Sequence, residues 1–218
     1  MKFHPSPKLL IRYSAGTLSP AMSFVIATHI KHCDACQAQQ ESLEAFGGVS
    51  IESCAHSEMT DTAFEALMGL IDESEEVPTV ESYFEDVALA SDYRPVLDKL
   101  VSKDYEDINW KHVAKKINHA ELAIDDQNNK IELLKFEAGA KIPSHTHKGN
   151  EFTVILEGSY TDEIGEFVAG DFIHLTESHH HRPVAGKEGC VCIAVTDAPM
   201  HFTGPIGPIL NYFTKTVA

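Results

Sequence analysis

Apolar positions follow two different periods along this chain. Up to about residue 73 they recur at the three- and four-residue spacing of helices, and from about residue 105 they fall in short runs broken by Gly, Asn and Asp. The first region divides at its Ser-Pro pairs. "SPKLLIRYSAG" has Ser6 as an N-cap, Pro7 at the first helical position and Gly16 as a stop. "SPAMSFVIATHIKH" repeats that start at Ser19 and Pro20, and "ACQAQQESLEAFGG" predicts a third helix ending at Gly47-Gly48. A fourth begins near "TDTAFEALMGLID", with Thr62 and Glu65 in a capping-box pattern. Phe64, Leu67, Met68 and Ile71 then fall at i, i+3, i+4 and i+7, an apolar stripe along one face.

Residues 72–93 are acidic with one proline and predict a linker, with a short helix around Tyr83 to Ala90. Beyond it, "KIELLKF", "EFTVILEG", "DFIHL" and "CVCIAVT" predict closely spaced strands of an antiparallel barrel or sandwich. The expected class is therefore α + β in two domains. A helical bundle occupies residues 1–75 and an acidic linker 76–104. The antiparallel barrel takes 105–203, and a Gly/Pro-punctuated tail 204–218. No internal repeat or low-complexity tract is present.

Composition narrows the function. Hydrophobic residues at 43% and charged residues at 23% are ordinary for a soluble globular protein of 218 residues. No apolar run reaches the roughly 18–20 residues that cross a bilayer, and no signal peptide is expected. The net charge is −16, and no Lys or Arg occurs between Lys31 and Arg94. Such a chain repels DNA phosphates but suits a basic protein partner; the plainer reading is that the charge serves only solubility. Five cysteines, an odd number set beside histidines, indicate a reducing compartment and a cytoplasmic protein.

The first chemical cluster is "THIKHCDACQAQ". His29 and Cys33 are four residues apart, on one helical face, and Cys36 follows in CxxC spacing. His32 points about 100° away from Cys33 around the same helix. Structural zinc takes four tetrahedral nitrogen or sulfur ligands. The fourth could be His4, just before the first helix, or Cys54 or His56. A redox CxxC fits less well, because no βαβ pattern surrounds it. Helix-borne thiols without a metal are the bland alternative.

"HPSPKLLIRYSAGTLSPAMSFVIATHIKHCDAC" resembles the zinc-binding anti-sigma domain of the ChrR family of bacterial anti-sigma factors. The resemblance implies zinc held by His4, His29, Cys33 and Cys36, and a cupin domain behind the helices. It also implies a partner: a group IV RNA polymerase sigma factor of the extracytoplasmic-function (ECF) type. The inhibited factor would be released on an oxidative signal, singlet oxygen or an organic peroxide. Phe64, Leu67, Met68 and Ile71 would be a docking stripe on such a partner, although the same stripe serves equally well as core.

"GAKIPSHTHKGNEFTVILEG" resembles the first cupin motif, Gly139-x5-His145-x-His147-x3-Glu151-x6-Gly158. His145 and His147 are i, i+2 on an extended segment and point to one side, and Glu151 follows on the next strand. A fourth ligand would come from "GDFIHLTESHHHRP". The spacing usual in cupins from Gly170 favours His181, with His179 and His180 as neighbours able to replace it, and His174 as an ordinary histidine. Ala169 stands where a proline is common before the Gly-Asp turn. Three histidines and a glutamate accept zinc or another divalent transition metal. A barrel with no metal at all is the simpler alternative.

Cys190 and Cys192 share a strand face and are redox candidates if that face lines the barrel; otherwise they are small core residues. Two functions of different kinds follow. One is the regulatory binder; the other is a metal-dependent cupin enzyme, a dioxygenase or isomerase. The zinc module counts against the enzyme, and no catalytic residue is assigned.

Overall fold

The structure, a computed structural model, describes residues 1–55, 59–73, 105, 108–125, 127–205, 207, 208 and 211. Most of the expected linker with its helix at 83–90, His56, and most of the C-terminal tail lie outside the described residues.

Both Ser-Pro pairs open helices. In α1 (Pro7–Ser14) the Leu9 N–H donates to Ser6 Oγ at 3.4 Å, and in α2 (Pro20–His32) the Met22 N–H donates to Ser19 Oγ at 3.3 Å. Gly16 takes a left-handed φ of 63° and ends the first helical segment. Two expectations need correction. Helix α3 (Asp34–Glu52) runs through Gly47-Gly48 and closes only where the Ser53 N–H reaches Val49 O at 3.0 Å. A glycine stops a helix when it turns left-handed, and neither of these does. Helix α4 (Asp61–Glu73) is capped by Thr60, whose Oγ1 accepts from the Ala63 N–H at 3.3 Å, not by Thr62. Starting one residue after Thr60 puts Asp61 in the first turn, where its charge complements the helix dipole.

Among the described residues nine strands follow: β1 (Lys111–Ala114), β2 (Ile117–Ile124), β3 (Lys130–Phe136), β4 (His145–His147), β5 (Glu151–Thr161), β6 (Glu166–Val168), β7 (Phe172–Leu175), β8 (Val184–Thr196) and β9 (Met200–Phe202). Every pairing is antiparallel. The main sheet runs β1-β2-β3-β8-β5-β6, with β7 also on β5, while β4 and β9 form a second, two-stranded sheet. The result is a cupin-type β-barrel.

The central strands are buried on both faces, which explains their continuous apolar runs. On β8, Val191, Ile193 and Val195 join one core cluster, and Cys190 and Cys192 join another. On β5, Phe152, Val154 and Leu156 face the first side and Ile155 the second. The second cluster, with Phe136, Tyr160, Phe167 and Leu175, fills the barrel. The first is completed by Ala21, Phe24, Val25 and Ile26 of α2. Helix α2 thus lies between the sheet and the other helices. It is apolar nearly all round because it is covered nearly all round. Each large aliphatic or aromatic side chain so buried contributes about 1.5–3 kcal/mol.

Two barrel turns clamp the helical region to the sheet. Asp125, at the β2–β3 turn, accepts from the Ala21 N–H at 3.3 Å, and Asn129 Nδ2 donates to Ser19 Oγ at 3.1 Å. Burial alone would push the Asp125 carboxyl up. The donors on Asn129, Ala21 and Ser19 outweigh it, and the group titrates below its ordinary value. Asp171, between β6 and β7, accepts from the backbone N–H groups of Lys2 and Phe3 at 2.7 and 3.1 Å.

Helix α4 is the opposite of α2. Phe64, Leu67, Met68, Leu70 and Ile71 are all exposed, and so are Phe46, Val49 and Ile51 on the second half of α3. Among the described residues no helix is long and apolar enough to cross a membrane.

Candidate functional site

The first cluster forms where α2 turns into α3. His29 sits in the last turn of α2, and Cys36 in the first turn of α3. Cys33 is not on a helix, as the spacing suggested, but is the extended residue between them (φ −132°, ψ 99°). That break lets the two helices part while Cys33 and Cys36 stay on one side. His4, on the segment before α1, completes the group. Its Nδ1 lies 3.4 Å from Cys33 Sγ and 3.5 Å from Cys36 Sγ, and His29 Nε2 lies 3.3 Å from Cys36 Sγ. The four ligand atoms lie within 4.8 Å of one another. Cys54 is exposed and bonded to Ser50 O at 3.3 Å, away from this group, and His32 is not part of it.

The set fits a tetrahedral ion. Bonds of about 2.0–2.3 Å to zinc give tetrahedron edges of about 3.3–3.8 Å, the spacing seen here. The protonation states agree. Burial holds His29 neutral, its pKa lowered to about 4, and its Nδ1–H donates to Gly170 O at 2.8 Å, which leaves Nε2 as a lone-pair donor. Burial and the neighbouring Cys33 push the Cys36 thiol up to about 12, so without a cation it is a poor thiolate. A bound metal reverses that.

The second cluster lies in the barrel. His145 and His147 project from β4 to one side, and an isolated bridge joins His145 to His181 by a reciprocal pair of N–H···O bonds, both 3.1 Å. The rings are 4.2 Å (His145 to His181), 5.2 Å (His145 to His147) and 5.7 Å (His147 to His181) apart between centroids. All three are buried. Outer groups aim them. His145 Nδ1 donates to Pro143 O at 2.9 Å, and His181 Nδ1 to Asp162 Oδ2 at 3.0 Å. Glu151, at the start of β5, puts Oε2 2.6 Å from His147 Nε2 and accepts from Thr153 Oγ1 on Oε1 at 2.7 Å. The His147 contact is an ion-pair distance without hydrogen-bond alignment, so His147 Nδ1 and Nε2 and His181 Nε2 remain buried without a hydrogen-bond partner. Buried imidazole nitrogens without a partner, on rings whose donor atoms lie within 4.8 Å of one another, fit a metal. Burial raises the Glu151 carboxyl, but His147 and Thr153 outweigh it and bring it to about 2. Burial and the adjacent His181 lower His145 to about 4.

A cavity of about 40 Å³ adjoins this cluster, lined by His145, Glu151, Tyr160, His181 and Cys192 among others. Cys192 faces it, and Cys190 packs in the same interior cluster. Both thiols are free. The Cys192 thiol is raised, first by its hydrogen bond with Cys190 and then by burial. His174 is exposed, stacked on Phe152 at 4.4 Å and bonded to Asn150 at 2.9 Å. His179 caps a turn by accepting from the Thr176 N–H at 3.0 Å, and His180 is exposed. Sequence reasoning missed the aiming groups Asp162, Thr153 and the Gly170 carbonyl. Only "YTDEIGE", a tight turn two strand-lengths from the ligands, could have pointed to Asp162.

The helix-plus-barrel frame has counterparts among known proteins. Residues 98–200 match the ChrR cupin-like domain. Across 216 residues, 99% of both chains, the sequence is 32% identical to the anti-sigma-E factor ChrR of Cereibacter sphaeroides. The chain belongs to the ChrR family of anti-sigma factors. A crystal structure of Rhodobacter sphaeroides SigE in complex with the anti-sigma ChrR also matches, with a TM-score of 0.70 at 31% identity over 89% of this chain and 98% of that one. The likeness therefore takes in both the helices and the barrel. The family is one of regulators, in keeping with a chain to which no catalytic residue is assigned.

Proposed function

We propose that this protein binds an ECF-type sigma factor and keeps it from RNA polymerase, in the cytoplasm, until an oxidative signal releases it. The full-length kinship with an anti-sigma factor supports the inhibitory role. The observation that carries the assignment of surface is the exposed stripe. Phe64, Leu67, Met68 and Ile71 on α4 are each 40–55% exposed, which supports reading them as a docking stripe more than as core. The stripe lies in the stretch without Lys or Arg, so an apolar face with an acidic rim meets a basic partner. Boundaries at 75, 104 and 203 divide the work between an inhibitory module and a sensing barrel.

Zinc is the ion for His4, His29, Cys33 and Cys36; four protein donors close its shell and make it structural. A second divalent metal, zinc or another transition metal, is held by His145, His147, Glu151 and His181. When bound it would supply a Lewis-acidic, open-sided centre beside Cys192. Singlet oxygen or an organic peroxide is the signal class, with Cys190 and Cys192 as oxidisable neighbours. The full-length kinship with an anti-sigma factor disfavours the enzyme alternative.

Co-expression with an ECF sigma factor from the same genome tests the reading. The intact chain should co-purify with it, and a Phe64→Asp, Leu67→Asp chain should not. Equal recovery of both would remove α4 as the docking face.

A further inference from the structure

We propose that the Gly170–Asp171 turn of the barrel is a working part of the N-terminal metal centre, orienting two of its four ligands, His29 and His4. The proposal rests on reading that cluster as a metal centre and adds to it a support from the other half of the molecule.

The two sulfur donors come from the α2–α3 junction, but the two imidazoles are set from the barrel. His29 is fully buried, and the partner of its Nδ1 is a carbonyl, Gly170 O at 2.8 Å. A carbonyl only accepts, so the proton must stand on Nδ1. Nε2 then carries the lone pair, on the side of Cys36 Sγ at 3.3 Å. Fixing one tautomer and one ring plane is how a second group prepares a metal-ligating histidine.

His4 is prepared through the backbone. Asp171 is fully buried, and its carboxylate works on two chains at once. Oδ2 accepts from the Val168 N–H at 2.9 Å, closing the barrel's own turn. Oδ1 accepts from the Lys2 and Phe3 N–H groups, and the Phe172 N–H donates to Phe3 O at 3.0 Å. The Phe3 ring packs on Phe167 with centroids 4.7 Å apart. The residue after this anchored pair is His4. Gly170 has φ 92°, a conformation that L side chains rarely adopt, so glycine lets the turn present its carbonyl to His29 without strain. From this turn β7 runs to Leu175, the ladder partner of Glu151 in the barrel cluster. Four strand residues thus separate the support of one centre from a ligand of the other.

The test uses the full chain loaded with cobalt(II), because thiolate-to-cobalt charge-transfer absorption reports only the cluster that contains cysteines. Three proteins are compared: the wild type, Asp171→Asn, and Lys2→Pro, which removes one N–H from Asp171 while leaving the barrel sequence intact. Cobalt affinity is read by competition with a chelator, and ligand geometry from the d–d bands. Both variants should bind cobalt at this cluster about tenfold or more weakly, with shifted d–d bands. Wild-type affinity and spectrum in both variants would overturn the proposal. So would an effect confined to Asp171→Asn, which would be one of barrel folding alone. No charge-transfer band in the wild type would overturn the metal reading itself, and this proposal with it.

Discussion

The two clusters of this protein use histidine in opposite ways. In the N-terminal cluster two imidazoles share an ion-sized space with two thiols: three of the donor–donor distances are 3.3–3.5 Å, and all four donor atoms lie within 4.8 Å of one another. In the barrel, the donor atoms of three imidazoles lie within 4.8 Å of one another, and a cavity lined by His145, Glu151 and His181 adjoins them. The first arrangement stitches chain segments that are 32 residues apart in sequence, from His4 to Cys36, and its four donors match the number that a tetrahedral zinc takes. The second is built on strands that would hold their shape anyway, and leaves an approach open. Under the proposed function the difference becomes a division of roles: the thiol cluster would shape the helices that meet the partner, and the barrel cluster would meet the signal.

That division can be broken in order of expected effect. Replacing Cys33 and Cys36 by alanine should abolish metal binding at the closed cluster. Structural zinc contributes apparent binding free energies of about 10–16 kcal/mol in small domains, and the loss should show as melting of α1–α3 in circular dichroism. One zinc per chain retained at the thiol site by that variant would refute the ligand assignment. Phe24→Ala should come next. It removes a ring from the core that α2 shares with the sheet and should cost about 3–5 kcal/mol in denaturant unfolding. A cost under about 1 kcal/mol would mean that α2 does not pack on the barrel.

His145→Ala with His147→Ala sharpens the comparison from the other side. This chain should lose the barrel metal by elemental analysis, keep the thiol-bound ion, and still inhibit the sigma factor while failing to release it under a photosensitiser and light. Release at the wild-type level would move the sensor to Cys33 and Cys36. The smallest effect concerns the clamp at Asp125. Its folded pKa is lowered, so its contribution is present above the ordinary carboxylate range and is lost as pH falls through the folded value. Asp125→Ala should lower stability by about 1–3 kcal/mol at neutral pH. It should also flatten the acid limb of the stability curve. An unchanged acid limb would show that this carboxylate does not hold α2.

Much of this was legible in the sequence because the relevant signals are local. Ser-Pro starts fix the first turns of α1 and α2, and HxH on an extended segment fixes two ligands on one side. What could not be read was non-local. Glycines at 47 and 48 gave a stop signal, yet a stop depends on a left-handed φ that tertiary context did not impose. The near-continuous apolar run of β8 could not say that alternate residues face α2 and the barrel interior, since a strand buried on both sides loses its alternation. The groups that aim the ligands, Asp162, Gly170 and Asp171, lie in turns whose composition signals only a turn. And the stripe on α4 has the same periodicity whether it is covered or open; only the fold distinguishes the two.

The central claim, that open helices hold the partner while the barrel cluster carries the signal, is tested most directly by sigma-factor affinity. Isothermal titration would compare the wild type, the Phe64→Asp, Leu67→Asp chain, and the His145→Ala, His147→Ala chain, all full length and reduced. The account predicts that the stripe variant binds at least about 100-fold more weakly, a loss of about 2.8 kcal/mol, while the barrel variant stays within about twofold of wild type. Wild-type affinity in the stripe variant, or a 100-fold loss in the barrel variant, would contradict it.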